Sequence, residues 1–343
     1  MICLFARWPN SGKTLMTTLV TGDIHLSGNP RDYYRIETMR RLASLAKEWG
    51  VNNTIILGDL TEQKDRHNAW LVNQVVNVIS LFHALGPVYV LQGNHDYLSD
   101  ADCPFFGFID HIPDVTWIKS PSRFDFSFGK ALFLPHTRNY KRDWADLSHE
   151  HYKWAFAHNT FAGAQGDNGQ KLEGIPIDVL PNNACVISGD VHVPQTICNL
   201  TYVGAPYTID FGDKYEPRVL LIHDDGFESK PLGGPQKRLI DLEWSTDWQF
   251  FDDSKYHPCD IVKIRQKIPK SAIPKWPEIR EQLRNTFRNM CTIDSITPVL
   301  LDDSKERTKL KRRDAKSDAQ IMDEFAQAKN MDKATKKVGE GLL

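Results

Sequence analysis

No stretch of the chain approaches the roughly 18 to 20 consecutive apolar residues that a membrane-spanning helix requires. The N-terminus also lacks the apolar core and small-residue cleavage pattern of a secretory signal. Six cysteines (Cys3, Cys103, Cys185, Cys198, Cys259 and Cys291) are scattered without Cys-x-x-Cys spacing, which argues against a zinc ribbon and against a disulfide framework. These absences make a cytoplasmic protein with reduced thiols and no membrane contact the expectation. Neither charge is in excess: 42 Lys and Arg face 44 Asp and Glu, for a formal net charge of -2. That balance excludes a globally basic nucleic-acid coat and leaves a local basic face open. A phosphate-binding loop is missing as well. Pro9-Asn10-Ser11-Gly12-Lys13-Thr14 ends like one, but Arg7 stands where its first glycine belongs, and residues 1–8 hardly supply the buried strand that should precede it. Residues 1–15 are read as a flexible extension ahead of a domain that opens at Met16.

What the chain does have is 343 residues, 41% of them hydrophobic, enough to bury a large core and to divide into two unequal domains. After a short apolar run at residues 17–21, Tyr34, Ile36, Met39, Leu42, Leu45, Ala46 and Trp49 recur at helical spacing. The β-branched run at 54–57 is too short for a helix. Val72, Val75, Val76, Ile79, Phe82 and Leu85 restore the helical period, and residues 88–91 form a third strand. From Asp100 onward short β segments dominate, at 115–118, 124–128, 131–134, 154–158, 186–188, 195–198 and 218–223. A second sheet packed on the first, with helices outside, accommodates so many strands. The expected architecture is α/β: a four-layered α-β-β-α domain over residues 16–225.

Five short clusters sit behind those strands: Asp23-Ile24-His25, Gly58-Asp59, Gly93-Asn94-His95-Asp96, His158, and Gly189-Asp190-Val191-His192. Asp23 to Asp59 and Asp59 to Asn94 are each separated by the length of one βαβ unit, roughly 30 residues or more. Right-handed crossovers then place Asp23, Asp59 and Asn94 together at the carboxyl edge of a parallel sheet, where open α/β sheets bind ligands. Carboxylate, amide oxygen and imidazole are ligands for divalent ions such as Mn²⁺, and two such ions share a carboxylate readily. Asp23 and His25 project to one side if their segment stays extended. Asp59 is the natural bridge, and Gly93 permits a tight turn beside the amide donor Asn94. Singly, each cluster reads as an ordinary turn or a satisfied buried histidine. All five in order do not.

The ordered set resembles the calcineurin-like metallophosphoesterase superfamily, over roughly residues 17–225. The resemblance implies that Asp23, His25 and His192 hold one ion, that Asp59 bridges, and that Asn94, His158 and Asp190 hold the other. It makes His95 the acid that faces the leaving group, with Asp96 as its orienting partner; a helix N-cap is the competing reading of Asp96. One departure stands out. The family usually carries Gly-His-x-His where this chain has Gly189-Asp190-Val191-His192. A carboxylate there adds negative charge and favours Mn²⁺ or Mg²⁺ over zinc.

Within that superfamily, Tyr202, Gly204, Ala205, Phe211 and Asp213 resemble the segment that follows the last metal motif in SbcD-type nucleases, the DNA-end-processing partners of SbcC-type ATPases. Protein phosphatases instead show Gly-Asp-x-x-Asp-Arg-Gly and Gly-Asn-His-Glu, which this chain lacks. The resemblance implies two Mn²⁺ or Mg²⁺ ions, DNA as substrate and a coiled-coil ATPase as partner; it admits a homodimer, and the compact chain suits a phage-encoded or bacterial member. A phosphatase acting on small or protein substrates and a silent scaffold of the same fold are the alternatives. His136, Arg138, Lys141 and Arg142, with Lys64, Arg66 and His67, are candidates for substrate phosphates.

Residues 226–235 read as a Gly/Pro linker, and 226–300 as a small α+β capping domain. It contains an alternating strand at 261–265 and a helix face of Ile279, Leu283 and Phe287. The charged residues 301–343 read as a solvated tail or as a helix that docks on the ATPase.

Overall fold

The structure, a computed structural model, describes residues 16–97, 105–145, 151–244 and 259–301. The Pro9–Thr14 segment and the charged tail beyond residue 301 lie outside the described residues.

The helix α1 (Tyr33–Glu48) connects β1 (Thr17–Thr21) to β2 (Val51–Ile56), and α2 (Ala69–His83) connects β2 to β3 (Val88–Leu91). The three strands are parallel neighbours, with Thr21 opposite Ile56 and Ile56 opposite Val90, and β4 (Val115–Ile118) continues the parallel series. Both crossover helices thus bring the chain back to the same sheet edge, as the spacing of the motifs anticipates. Asn68 caps α2 by accepting the Leu71 N–H at 2.8 Å. The apolar stripe of α2 buries Leu71, Val75, Val78, Ile79 and Phe82, while Val72 and Val76 are only half-buried. Each fully buried side chain of this size contributes roughly 1.5–3 kcal/mol.

The second sheet is built from β5 (Ser122–Phe126), β6 (Gly129–Leu134), β7 (Trp154–His158), β8 (Cys185–Gly189), β9 (Gln195–Ile197) and β10 (Leu200–Tyr202), in the order β5-β6-β7-β8-β10-β9. Its inner face packs Phe133, Trp154, Phe156 and Ile187 against Val20, Ile55, Leu57 and Leu91 of the first sheet. The outer layer over this sheet consists of Trp144, Tyr152, Phe161, Ile175 and Leu180, carried by the short helix α3 (Tyr140–Asp143) and the loops that follow it.

Three expectations change. Residues 115–118 and 218–223 belong to the first sheet, not the second. The latter is β11 (Arg218–His223), which pairs antiparallel with β1. The linker at 226–235 is instead largely β12 (Gly226–Pro231), joined to β11 by a two-residue turn in which His223 faces Gly226. Residues that read as a linker therefore supply the second strand of a hairpin closed by Asp224 and Asp225, and the first sheet runs past residue 225 in the order β12-β11-β1-β2-β3-β4.

A third, smaller sheet aligns β13 (Lys237–Leu242), β14 (Ile261–Ile268) and β15 (Thr292–Leu300) in parallel, with α4 (Trp276–Phe287) crossing between β14 and β15. Ile279, Leu283 and Phe287 bury against it. Lys237 pairs with the buried Asp32 at 2.8 Å and Arg31 with Asp294 at 3.1 Å, which ties this unit to the start of α1. Among the described residues, no helix is long and apolar enough to cross a membrane.

Candidate metal centre

The carboxyl ends of β1, β2 and β3 meet those of β7 and β8, and all five clusters lie at these ends. Backbone bonds stitch the loops together. The Asp23 N–H donates to the Gly58 carbonyl at 3.1 Å and the His25 N–H to the Asp59 carbonyl at 2.8 Å. The Asp190 N–H reaches across to Asp23 Oδ1 at 2.9 Å, joining the two sheets.

Among the described residues, six non-glycine positions have left-handed backbone, and four of them are here: Asp23 (φ 52°), His25 (φ 44°), Asp59 (φ 54°) and Asp190 (φ 81°). Each costs about 1–2 kcal/mol, and such strain concentrates at functional sites. It also corrects the reason Asp23 and His25 act together. Their segment is not extended, and they converge because the loop curls, not because strand residues alternate. Gly93 likewise serves close approach rather than a turn, since a Cβ there would lie 2.3 Å from Asp59 Oδ1.

The donor atoms form two overlapping sets. On one side, His25 Nε2 is 3.3 Å from Asp59 Oδ2 and 3.2 Å from His192 Nε2, and Asp23 joins His25 and His192 within 4.8 Å. On the other, His158 Nε2 is 3.3 Å from Asp59 Oδ1, 3.3 Å from Asn94 Oδ1 and 3.9 Å from Asp190 Oδ1. The Nδ1–H of His158 donates to the Leu57 carbonyl, which leaves Nε2 to face the carboxylates.

These residues fit divalent cations. Asp23 Oδ2 is buried without a hydrogen-bond partner, a costly state for a carboxylate oxygen unless a cation meets it. Two imidazole Nε2 atoms 3.2 Å apart are also better satisfied by a shared cation than by each other. Without cations the charges compensate internally. Burial raises the Asp23 carboxyl. Burial opposes protonation of His158, yet Asp59, Asp23 and Asp190 outweigh it and lift its pKa to about 10. Burial also opposes ionisation of Asp59, but His158 and His25 hold its carboxyl well below the usual range.

The family model for calcineurin-like phosphoesterases matches residues 16–194, just over half of the chain and the span that carries every donor above. The chain belongs to the calcineurin-like phosphoesterase family. A protein of Invertebrate iridescent virus 6 described as "Putative phosphoesterase 244L" is 26% identical over 208 residues, 55% of this chain and 70% of the viral one. In three dimensions the chain is similar to purple acid phosphatase PPD1 from yellow lupin (Lupinus luteus) seeds. That match has a TM-score of 0.38 and 11% identity, and covers 65% of this chain and 53% of the lupin chain. The chain thus spans about half the length of that solved structure. As a calcineurin-like phosphoesterase it is a metal-dependent hydrolase of phosphoesters, of a family that binds two divalent ions.

Around these donors the structure redistributes the expected supporting roles. Asp96 does not orient His95. Its buried carboxylate accepts the backbone N–H groups of Asp59 at 2.8 Å, Gly93 at 2.9 Å and Leu60 at 3.1 Å, pinning two metal loops to each other. The N-cap reading of Asp96 concerns residues 98–104, which lie outside the described residues. His95 instead places Nδ1 2.8 Å from the Glu62 carbonyl, and its own N–H donates to Asp59 Oδ1 at 2.8 Å. The His95 ring lies 4.6 Å from that of His25, and it also falls in a donor group with His25 and Asp59.

Glu62 joins the centre without belonging to any of the five clusters. Its carboxylate pairs with the buried Arg35 at 3.2 Å and lies 3.6 Å from His25 Nδ1, while Arg35 also donates to the His25 carbonyl. The one sequence signal was its place three residues after Asp59.

The substrate candidates separate. A cleft of about 420 Å³ opens beside Asn94 and Asp190, lined by His136, Arg138 and Tyr140. Arg138 is exposed, with its guanidinium 5.2 Å above the Tyr97 ring. His136 accepts from Asn159 Nδ2 at Nδ1, 3.2 Å away, and burial together with His158 lowers its pKa to about 4, so it offers a neutral donor rather than a charge. Arg142 lies along Asp143, 2.6 Å away, and is already charge-paired. His67 turns inward to Thr61 at 2.7 Å, whereas Lys64, Arg66 and Lys141 are exposed.

The segment at 201–213, which carries the resemblance to SbcD-type nucleases, proves to be a buttress. Tyr202 and Tyr207 are fully buried. The Tyr202 hydroxyl accepts the Phe161 N–H at 2.7 Å and donates to the Asn159 carbonyl at 3.2 Å, and the Tyr207 hydroxyl donates to the Ile24 carbonyl. It supports the loops after β7 and β1.

Proposed function

We propose that this chain is a metal-dependent phosphodiesterase that cleaves DNA in the manner of SbcD-type nucleases, with Mn²⁺ as its working ion. One observation carries the hydrolytic reading: Asp59 turns one carboxylate oxygen to His25 and the other to His158, each 3.3 Å away, so one group joins two donor sets. Asp23, His25 and His192 would hold one ion with Asp59, and Asn94, His158 and Asp190 the other. When bound, the pair of ions acidifies an attacking water and offsets charge on the phosphoryl oxygens. His95, whose Nδ1–H donates to the Glu62 carbonyl, would in its imidazolium form give the Nε2 proton to the departing sugar oxygen and be left as the neutral Nδ1–H tautomer. Asp96 and Arg35 keep the loops that carry these groups in register.

The DNA reading is supported by the open cleft beside Asn94 and by Arg138, an exposed cation held over Tyr97 at its rim. Absence of the protein-phosphatase signature after Asp59 and Asn94 points the same way. With that reading go a cytoplasmic location and an SbcC-type ATPase as partner, docking on the charged residues 305–343. The test compares three substrates with Mn²⁺ added: linear duplex DNA, bis-p-nitrophenyl phosphate and p-nitrophenyl phosphate. Degradation of DNA supports the proposal. Hydrolysis of the monoester with DNA left intact makes the chain a phosphatase, and no turnover of any substrate makes it a scaffold.

A further inference from the structure

Asp190 stands where the superfamily pattern that this chain resembles implies an imidazole, and an imidazole offers a metal a single atom. A carboxylate has two. The structure contains a device that removes the second: the Thr160 hydroxyl donates its hydrogen to Asp190 Oδ2. Asp190 Oδ1 is left 3.9 Å from His158 Nε2, on the side of Asn94 and Asp59. We infer that Thr160 turns Asp190 into a one-oxygen ligand, and that the Thr160–Asp190 pair adapts this position to a hard divalent ion such as Mn²⁺ in preference to Zn²⁺. The inference rests on the two-ion reading above and adds Thr160 to it as a positioning residue.

The pair is built, not incidental. Thr160 follows His158 by two residues at the end of β7 and is braced from three sides. Its carbonyl accepts the Ile175 N–H at 3.0 Å. Gly174 packs so closely that a Cβ would lie 2.3 Å from the same oxygen. The flanking Asn159 carbonyl and Phe161 N–H both bind the buried Tyr202 hydroxyl. A β-branched side chain on so constrained a backbone has little rotamer freedom, so the hydroxyl stays aimed. Asp190 is held from its own side by the bond from its N–H to Asp23 Oδ1 at 2.9 Å. With one oxygen engaged by Thr160, the position offers oxygens from Asp59, Asn94 and Asp190 and one nitrogen from His158. That oxygen-rich set suits Mn²⁺ or Mg²⁺ better than zinc.

The test reads metal binding rather than turnover. Metal-free full-length protein is titrated with Mn²⁺ and with Zn²⁺ by calorimetry, and site occupancy is followed by the electron paramagnetic resonance of Mn²⁺. Thr160→Val keeps the shape and removes the donor. It is expected to weaken one of the two Mn²⁺ sites about 10- to 100-fold, the usual effect of losing a ligand-orienting partner, while the other site is unchanged. Thr160→Ser restores binding, Gly174→Ala weakens the same site by pushing on Thr160, and Asp190→His moves preference towards Zn²⁺. A Thr160→Val protein that binds both Mn²⁺ ions like wild type, or loses both equally, overturns the inference while the two-ion reading stands. Wild type that takes up fewer than two Mn²⁺ overturns both.

Discussion

The carboxylate of Asp96 accepts the backbone N–H of Asp59 at 2.8 Å, so the residue after His95 holds in place the carboxylate that faces both His25 and His158. Replacing Asp96 with Ala leaves three buried N–H groups, on Asp59, Leu60 and Gly93, without an acceptor. Each such loss costs about 1–3 kcal/mol. Urea denaturation of Asp96→Ala should show stability lower by about 3 kcal/mol or more, with Asp96→Asn intermediate. A variant as stable as wild type would remove Asp96 from this role.

His95 acts on the leaving group in the proposed mechanism and contributes no ligand. His95→Ala should abolish cleavage of bis-p-nitrophenyl phosphate while metal analysis finds the wild-type ion content. Loss of an ion in this variant would make His95 a ligand, in line with its closeness to His25 and Asp59.

Four left-handed residues and an unpartnered buried Asp23 oxygen mean that the fold carries backbone strain and an unmet acceptor at this centre. Mn²⁺ at 100 times its dissociation constant should stabilise the protein by about 2.7 kcal/mol per site. Thermal melts with Mn²⁺ and with excess chelator give the measurement, and superimposable curves would contradict it.

Arg138 is exposed above Tyr97, whereas Arg142 is paired with Asp143. If DNA is the substrate, Arg138→Ala should weaken its binding across sequences and reduce the slope of log affinity against log salt by about 1. Arg142→Ala should change the slope less. Equal effects would show that Asp143 does not hold Arg142 away from the phosphates.

Burial pushes the Cys185 thiol up to about 11, and burial with Asp260 nearby does the same for Cys291. A raised thiol pKa means less thiolate, about one molecule in a thousand at pH 8, and thiolate is the reactive form. Iodoacetamide at pH 8 should therefore alkylate the exposed Cys198 well before Cys185 or Cys291 in the folded protein. Peptide mass mapping before and after denaturation checks the order.

Donor type and order were legible in the chain alone. Asp23, His25, Asp59, Asn94, His158, Asp190 and His192 follow apolar strands, and βαβ spacing brings the first three motifs to one sheet edge. Local pattern suffices there, because strand and helix periods depend on near neighbours in sequence. It failed where partners are distant. The first six residues of the Gly/Pro-containing stretch 226–235 paired with β11 instead of linking domains. Asp96 turned to a backbone 37 residues away rather than to the adjacent histidine. The segment at 201–213 carried the family resemblance yet lies beneath the loops, with Tyr207 reaching a carbonyl 183 residues away. Which oxygen of Asp59 faces which histidine, and which oxygen of Asp190 Thr160 occupies, were settled by the packing of two sheets. A side chain's free donor or acceptor atoms are set by what surrounds it in space, and no spacing rule along the chain encodes that.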